Sequence, residues 1–220
     1  MLMKIAGRVR GLFAGNYPEN REDEQFHVNS RGDQIVAQGL PELTEIVRLG
    51  ESWQVSNSSG FAPATGLPTT TAALVLWNGE SAGGKSYVID SLSVSEIVVD
   101  ATQSNMTSAF VMLGKPPVGA PVDAALVIRS LSGRTYGGRA RTVVLSATVV
   151  NDGWFPCGTS APAAAAAAGS AWKQMDWPLK GLYVVPPGGS FNAHVVKVAA
   201  TAGQAILTIR WHEVQLIVKS

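Results

Sequence analysis

Beyond Glu51 the chain is patterned with a period of two. Between Ala205 and Val218 the residues Leu207, Ile209, Trp211 and Val214 are apolar, and Thr208, Arg210 and His212 between them are polar. Such alternation suits a strand with one face in the core and one in water. Similar short runs of Val, Ile, Thr and aromatic residues, punctuated by Gly, Pro, Asn and Ser, predict further strands. They cover Ser52–Ser56, Ala72–Trp77, Ser86–Asp100 with a bend, Thr107–Leu113, Ala124–Leu131, Thr142–Val150, Leu182–Val185 and Ser190–Ala199. About eight to ten strands follow in all. Helical periodicity is nearly absent: LPELTEIVRLG, ending at Gly50, reads as one short helix or a strand. The alanine run within residues 161–172 reads as one or two helical turns or a flexible loop, because so short a helix is marginal alone. Many short strands without strand–helix alternation indicate an antiparallel sandwich or barrel. At this length an all-β jelly-roll sandwich is favoured. An immunoglobulin-type sandwich comes second, lacking its cysteine pair.

Composition sharpens this picture. The 220 residues are 46% hydrophobic and only 15% charged, against roughly 25% charged in an average soluble chain. Seventeen basic and sixteen acidic residues leave a net charge of +1. No global field argues for nucleic acid or an anionic membrane. The single Cys157 excludes an intrachain disulfide framework and a thiolate metal cluster. Arg8 and Arg10 interrupt the place where a signal peptide would be apolar, so no targeting segment is expected, and no run reaches the ~18 apolar residues of a membrane span. A low charge then points to surface buried against other subunits.

Charge is also unevenly spread. Residues 1–50 carry six basic and seven acidic groups, whereas 52–128 carry seven charges in 77 residues. We therefore place a boundary near Gly50, with an N-terminal arm over 1–50 and the jelly-roll domain over 51–220. The arm's apolar residues Leu12, Phe13, Tyr17 and Phe26 are too few for a private core, so they are candidate contacts with the main body or a neighbour.

Few motifs suggest chemistry. GESAGGKS, Gly79–Ser86, satisfies both the P-loop pattern and the Gly-x-Ser-x-Gly nucleophile elbow. Both require a following helix, which a P-loop needs for its phosphate-facing N–H groups. Here YVIDSLSVSEIVV follows, a β-branched run that is a good strand and a poor helix. A glycine-rich hairpin turn is expected, with Lys85 a strand-end charge. His27, His194 and His212 lie far apart and lack metal-ligand spacing. For a hydrolase, His194 or His212 would serve as base with Asp123 as orienter, yet no spacing selects them. Arg31-Gly32-Asp33 is an integrin-like tripeptide of the kind that recurs by chance, and Asn57 and Asn105 open glycosylation sequons that matter only in a secreted eukaryotic chain. No enzymatic activity, cofactor or metal is expected. Arg129, Arg134, Arg139 and Arg141 cluster around LSGRTYGGRAR with no acid between Asp123 and Asp152. They suit a solvated hairpin, or an acidic neighbour, a glycan or nucleic acid.

The stretch Gly181–Leu216, a short strand, a Pro-Pro-Gly turn, a long strand and a final alternating strand, resembles the closing strands of jelly-roll proteins on phage and virus particles. Gly83–Val99 resembles their long lead strand, opened by a Gly-Lys-Ser turn. The two stretches cover about a quarter of the chain. The resemblance implies a virion structural protein on the capsid surface, of the decoration or cement type. Tumour-necrosis-factor-like homotrimers would there bridge capsomers and bind the major capsid protein or other virion subunits, with no role for nucleic acid or membrane. Trp211 would then lie at or near the threefold contact, and the arm from Leu12 to Phe26 would clasp a neighbouring subunit. The alternative is a carbohydrate- or receptor-binding jelly roll of a tail or head fibre, with Trp154, Trp172 or Trp177 stacking on sugar rings.

Overall fold

The computed structural model describes residues 42–67, 71–98, 105–114, 116, 126–144, 153–160, 174–197 and 203–215. The N-terminal segment with Leu12, Phe13, Tyr17, Phe26, His27 and Arg31–Asp33, together with Asp123, the alanine run and Trp172, lies outside them.

The ambiguous segment before Gly50 is a helix, α1 (Glu42–Leu49). Its end explains why. Gly50 adopts φ +77°, its N–H donates to Val47 O at 2.9 Å, and the Glu51 N–H donates to Ile46 O at 3.2 Å. That pair of bonds satisfies the last carbonyls of the helix, and the positive φ makes glycine the residue that closes it. Among the described residues ten strands follow: β1 (Ser52–Ser56), β2 (Leu74–Asn78), β3 (Ser86–Val98), β4 (Met106–Leu113), β5 (Arg129–Ser130), β6 (Ala140–Val144), β7 (Phe155–Ser160), β8 (Gln174–Val185), β9 (Ser190–Lys197) and β10 (Gln204–Val214).

The strands form two antiparallel five-stranded sheets, ordered β5-β1-β10-β3-β8 and β6-β2-β9-β4-β7. Eight of them are nested: β1 pairs with β10, β2 with β9, β3 with β8 and β4 with β7. Alternate pairs share a sheet, which is the wrapping of a jelly roll. β5 and β6 extend the sheets beyond β1 and β2, joined by a hydrogen bond from Leu126 N–H to Thr142 Oγ1 at 3.0 Å.

Alternation decides what is inside. Ala205, Leu207, Ile209 and Trp211 of β10 are all fully buried, facing Tyr87, Ile89, Leu92 and Val94 of β3 and, from the second sheet, Leu74, Leu76, Phe110, Phe191, Ala193 and Val195. Each large apolar side chain so buried contributes about 1.5–3 kcal/mol. A smaller cluster, Ala72, Val75, Val111 and Leu113, lies on the other face of the second sheet with Val143 and Trp154 against it.

Both glycine-rich segments form tight turns, but each crosses from one sheet to the other, so GESAGGKS is not the hairpin expected of it. Pro186–Gly189 closes with Gly189 N–H to Pro186 O at 2.9 Å and Gly188 at φ +79°. A proline second and a glycine third are what a type II turn requires. Within GESAGGKS, Gly84 N–H donates to Ser81 O at 2.8 Å, Gly83 has φ +82°, and a strand follows rather than a helix.

The sequence reading missed β7 and most of β8. In both, glycine and proline looked like punctuation. β7 and β8 are edge strands, however, and Pro156 and Pro178 each sit beside a register shift, the places where a sheet tolerates proline. In β8, Lys180 (φ +48°) and Gly181 (φ +72°) fall where the register with β3 shifts between Ile89 and Ser91, a bulge that interrupts the pairing without ending the strand. Gly158 is required by packing, because a Cβ there would overlap the Trp177 indole. β5, conversely, is shortened to two residues within the expected 124–131 strand.

Candidate functional site

Chemistry-bearing groups gather at one end of the sandwich, where β10 finishes and β3 begins. Continued past Trp211, the inward register of β10 brings Glu213 into the core, only 4% exposed. The Tyr136 hydroxyl donates to Glu213 Oε1 at 2.8 Å and accepts from the Ala140 N–H at 2.7 Å. Lys85 Nζ lies 3.6 Å from Glu213 Oε2 and 4.0 Å from Glu51 Oε1. Burial pushes the Glu213 carboxyl above the usual carboxylate range, and the Tyr136 hydroxyl and the Lys85 ammonium oppose that rise. Burial likewise pushes the Tyr87 and Tyr136 phenols up, so both remain neutral. Tyr136 packs edge-on against Trp53, with ring centroids 4.7 Å apart.

Outside these residues opens a cleft of about 420 Å³, lined by Trp53, Glu80, Lys85, Arg134, Thr135 and Glu213 among others. Arg134 lies over Gly50 and donates to Leu49 O at 3.1 Å, tying the end of α1 to the β5–β6 connection. Two cations, Lys85 and Arg134, and two carboxylates, Glu80 and Glu213, line the cleft, which suits it to recognise a polar or charged group.

The opposite end holds a second buried carboxylate. Lys197 Nζ of β9 meets Glu96 Oε1 of β3 at 2.6 Å, with side chains 1% and 2% exposed. This ion pair bridges the two sheets inside the core.

The histidines are not arranged for catalysis. His212 Nδ1 lies 2.8 Å from Asp90 Oδ1 on the outward face of the first sheet. Among the described residues no nucleophile is hydrogen-bonded to its other nitrogen. His194 is buried between Phe61 and Trp154, with centroids 6.1 Å and 6.0 Å away, and neither ring nitrogen has a hydrogen-bond partner. Burial lowers its pKa to about 4, so it is neutral at pH 7. Burial also raises the Cys157 thiol, which therefore stays protonated against Ser108. Among the described residues no group of His, Cys, Asp and Glu is arranged to hold a metal ion. No helix among them is long and apolar enough to cross a membrane.

Other expected residues fall as follows. Trp211 is fully buried, its ring 6.2 Å from Tyr87 and 6.5 Å from Tyr136, so β10 meets the exterior only through residues such as Arg210 and His212. Asn57 is 1% exposed, out of reach of a glycan-transferring enzyme, whereas Asn105 is exposed. Trp177 covers Gly158, and Trp154 packs against His194. Arg129, Arg134 and Arg139 are exposed, while Arg141 is half-buried and donates to Ala140 O at 3.0 Å. Sequence reasoning missed Glu213, Glu96 and Lys197. The signal was present, since each occupies an inward position of its strand's alternation.

No protein-family model and no curated protein matches this chain. Among solved structures it is similar to a chain of the mud crab dicistrovirus particle, at 12% identity and a TM-score of 0.21, and to one of the Triatoma virus empty capsid, at 10% and 0.26. Each alignment covers 100% of this chain and 95% of the other. The jelly-roll assignment rests on the strand order itself.

Proposed function

We propose that this chain is a structural protein of a virus particle, acting on the capsid surface as a decoration or cement protein. As a homotrimer it would bridge neighbouring capsomers through contacts with the major capsid protein or other virion subunits. The observation that carries this reading is the nested eight-strand jelly roll, whose closing strands are those that resemble virion proteins in sequence. Two further features support it. The described interior ionisable groups are committed to fixed partners or held neutral, and GESAGGKS is a turn that crosses from β2 in one sheet to β3 in the other, which leaves Ser81 and Lys85 without the helix that phosphate binding or acyl transfer needs. Large apolar side chains also stand in solvent at the β7–β8 edge, Phe155 at 61% and Leu182 at 79%, as expected of surface that a partner covers.

The mechanism is mechanical. A rigid sandwich at a capsomer boundary adds interface area to both sides, and many weak contacts at high effective concentration hold the shell together. The glycan-binding alternative draws no support from the aromatic residues, because Trp154 and Trp177 are engaged within the chain.

The test is sedimentation at submicromolar concentration, followed by co-sedimentation with particles lacking this protein. A trimer that saturates particle sites and ignores a glycan panel is expected. A monomer that leaves particles bare, or a sugar bound at micromolar affinity, overturns the reading.

A further inference from the structure

The cleft beside Glu213 holds charged groups that their neighbours leave unsaturated. Lys85 Nζ stands 3.6 Å from Glu213 Oε2 and 4.0 Å from Glu51 Oε1. Both separations are those of ion pairs rather than hydrogen bonds, so the ammonium's donors are still to be filled. Arg134 spends one N–H on Leu49 O, and its exposed guanidinium carries further donors. The acceptors are equally open. Glu213 is 4% exposed and gives Oε1 to the Tyr136 hydroxyl, but among the described residues Oε2 accepts no hydrogen bond. Glu80 has no ion-pair partner among the described residues. Burial first, and the Glu80 charge after it, push the Glu213 carboxyl up, so the two carboxyls sense each other across the cleft.

Space matches this chemistry. The cleft measures about 420 Å³, within the range of small-molecule sites. Trp53 supplies an aromatic wall, and Gly137 and Gly138 line another without side chains to fill it. A Cβ at Gly137 would meet nothing within 4 Å. A simple anion entering here meets Lys85 and Arg134 but is repelled by Glu80 and Glu213, and a simple cation has the converse difficulty. A group carrying both charges avoids the conflict, because a second ion pair laid antiparallel to Lys85–Glu213 puts each charge on its opposite. In an α-amino acid the ammonium and the carboxylate are separated by one carbon, a spacing comparable with the 3.6 Å between Lys85 and Glu213. We propose that the cleft binds a small zwitterion of the α-amino acid type, its ammonium on Glu213 Oε2 and Glu80 and its carboxylate on Lys85 and Arg134. Binding ties together the end of α1, the β2–β3 turn and the β5–β6 connection, since these carry Gly50, Glu80 and Arg134. This ligand site goes beyond the structural role and does not rest on it.

The experiment is calorimetric titration of the full chain at pH 7 with the twenty free amino acids, followed by the N-acetyl and amide forms of the tightest binder. The acetyl form lacks the ammonium and the amide form lacks the carboxylate. Saturable binding of at least one free amino acid, with a dissociation constant of about 1 mM or below, is expected, and each blocked form should bind at least about tenfold more weakly. Two variants assign the charges. Lys85→Met should weaken the free amino acid about tenfold and leave the amide form within about twofold of its wild-type affinity. Glu80→Gln should do the same to the free amino acid and spare the acetyl form instead. Both variants must keep thermal midpoints within a few degrees of the wild type; Glu80→Asp, which retains the charge, replaces Glu80→Gln if that one does not, and should lose less than about threefold. No saturable binding up to about 10 mM, blocked forms that bind as well as the free amino acid, or variants that weaken all three ligands equally overturn the proposal. None of these readouts involves particles, so this inference and the virion reading fail separately.

Discussion

The two ends of the sandwich each bury a glutamate and treat it differently. Glu96 meets Lys197 at 2.6 Å with both side chains sealed, whereas Glu213 divides itself between the Tyr136 hydroxyl and a Lys85 that is 41% exposed and 3.6 Å away. The first pair is enclosed by both sheets. The second borders a cleft of about 420 Å³. A charge taken out of water needs close, complete compensation, and the closed end supplies it with one opposite charge. The open end uses a neutral phenol and a partly exposed ammonium, so its carboxyl is only partly compensated and its pKa rises. The closed end holds the sheets together; the open end keeps polar groups available at the surface.

The comparison breaks most visibly at the closed end. Lys197→Met or Glu96→Gln strands a buried partner and should cost about 3–5 kcal/mol, measured by denaturant unfolding. The double change Glu96→Leu with Lys197→Met should recover most of that loss, and its failure to do so would show the pair to be worth more than an apolar bridge. His194 provides the next effect, as a buried ionisable group with no partner at all. Its folded pKa, about 4, lies below the unfolded value near 6.5, so its contribution is intact above pH 6.5 and is lost as the pH falls toward 4. About 3 kcal/mol should disappear across that window, and thermal midpoints of His194→Phe should lack this part of the acid slope.

At the open end the expected changes are smaller. Tyr136→Phe removes the hydrogen bond to Glu213 and the acceptor for the Ala140 N–H, costing about 2 kcal/mol. Because the Glu213 pKa is raised, the folded state holds this proton longer than the unfolded chain, and stability falls as the pH climbs above the ordinary carboxylate range. Without the phenol that decline should extend to higher pH, as followed by unfolding at several pH values. Lys85→Met should cost less than about 1 kcal/mol, since its ammonium is substantially solvated. A loss as large as that of Lys197→Met would erase the distinction between the ends.

Much of the fold was legible because period-two alternation is a local property. β1, β3, β4, β9 and β10 lie where the alternation places them, within a few residues. The turns at Gly83 and Gly188 were legible too, since a positive φ selects glycine whatever surrounds it. The edge strands β7 and β8 were not, because Pro156, Gly158 and Pro178 signal breaks unless the strand is known to lie at an edge. The candidate site was half legible. Lys85 was noticed for a motif it does not serve, and Glu213 was passed over because an acid in an alternating strand reads as solvent-facing.

By itself the sequence determined the β character of most of the chain, its main strands and turns, its low charge and the uneven spread of its acidic and basic residues. Tertiary structure alone decided which ends meet. Glu96 and Lys197 are 101 residues apart, and Tyr136 and Glu213 are 77 apart. Their pairing follows from nesting the strands, a long-range arrangement that no local pattern encodes. Burial then raises the Glu213 carboxyl, because the cost of a charge depends on what surrounds it rather than on its neighbours in the chain.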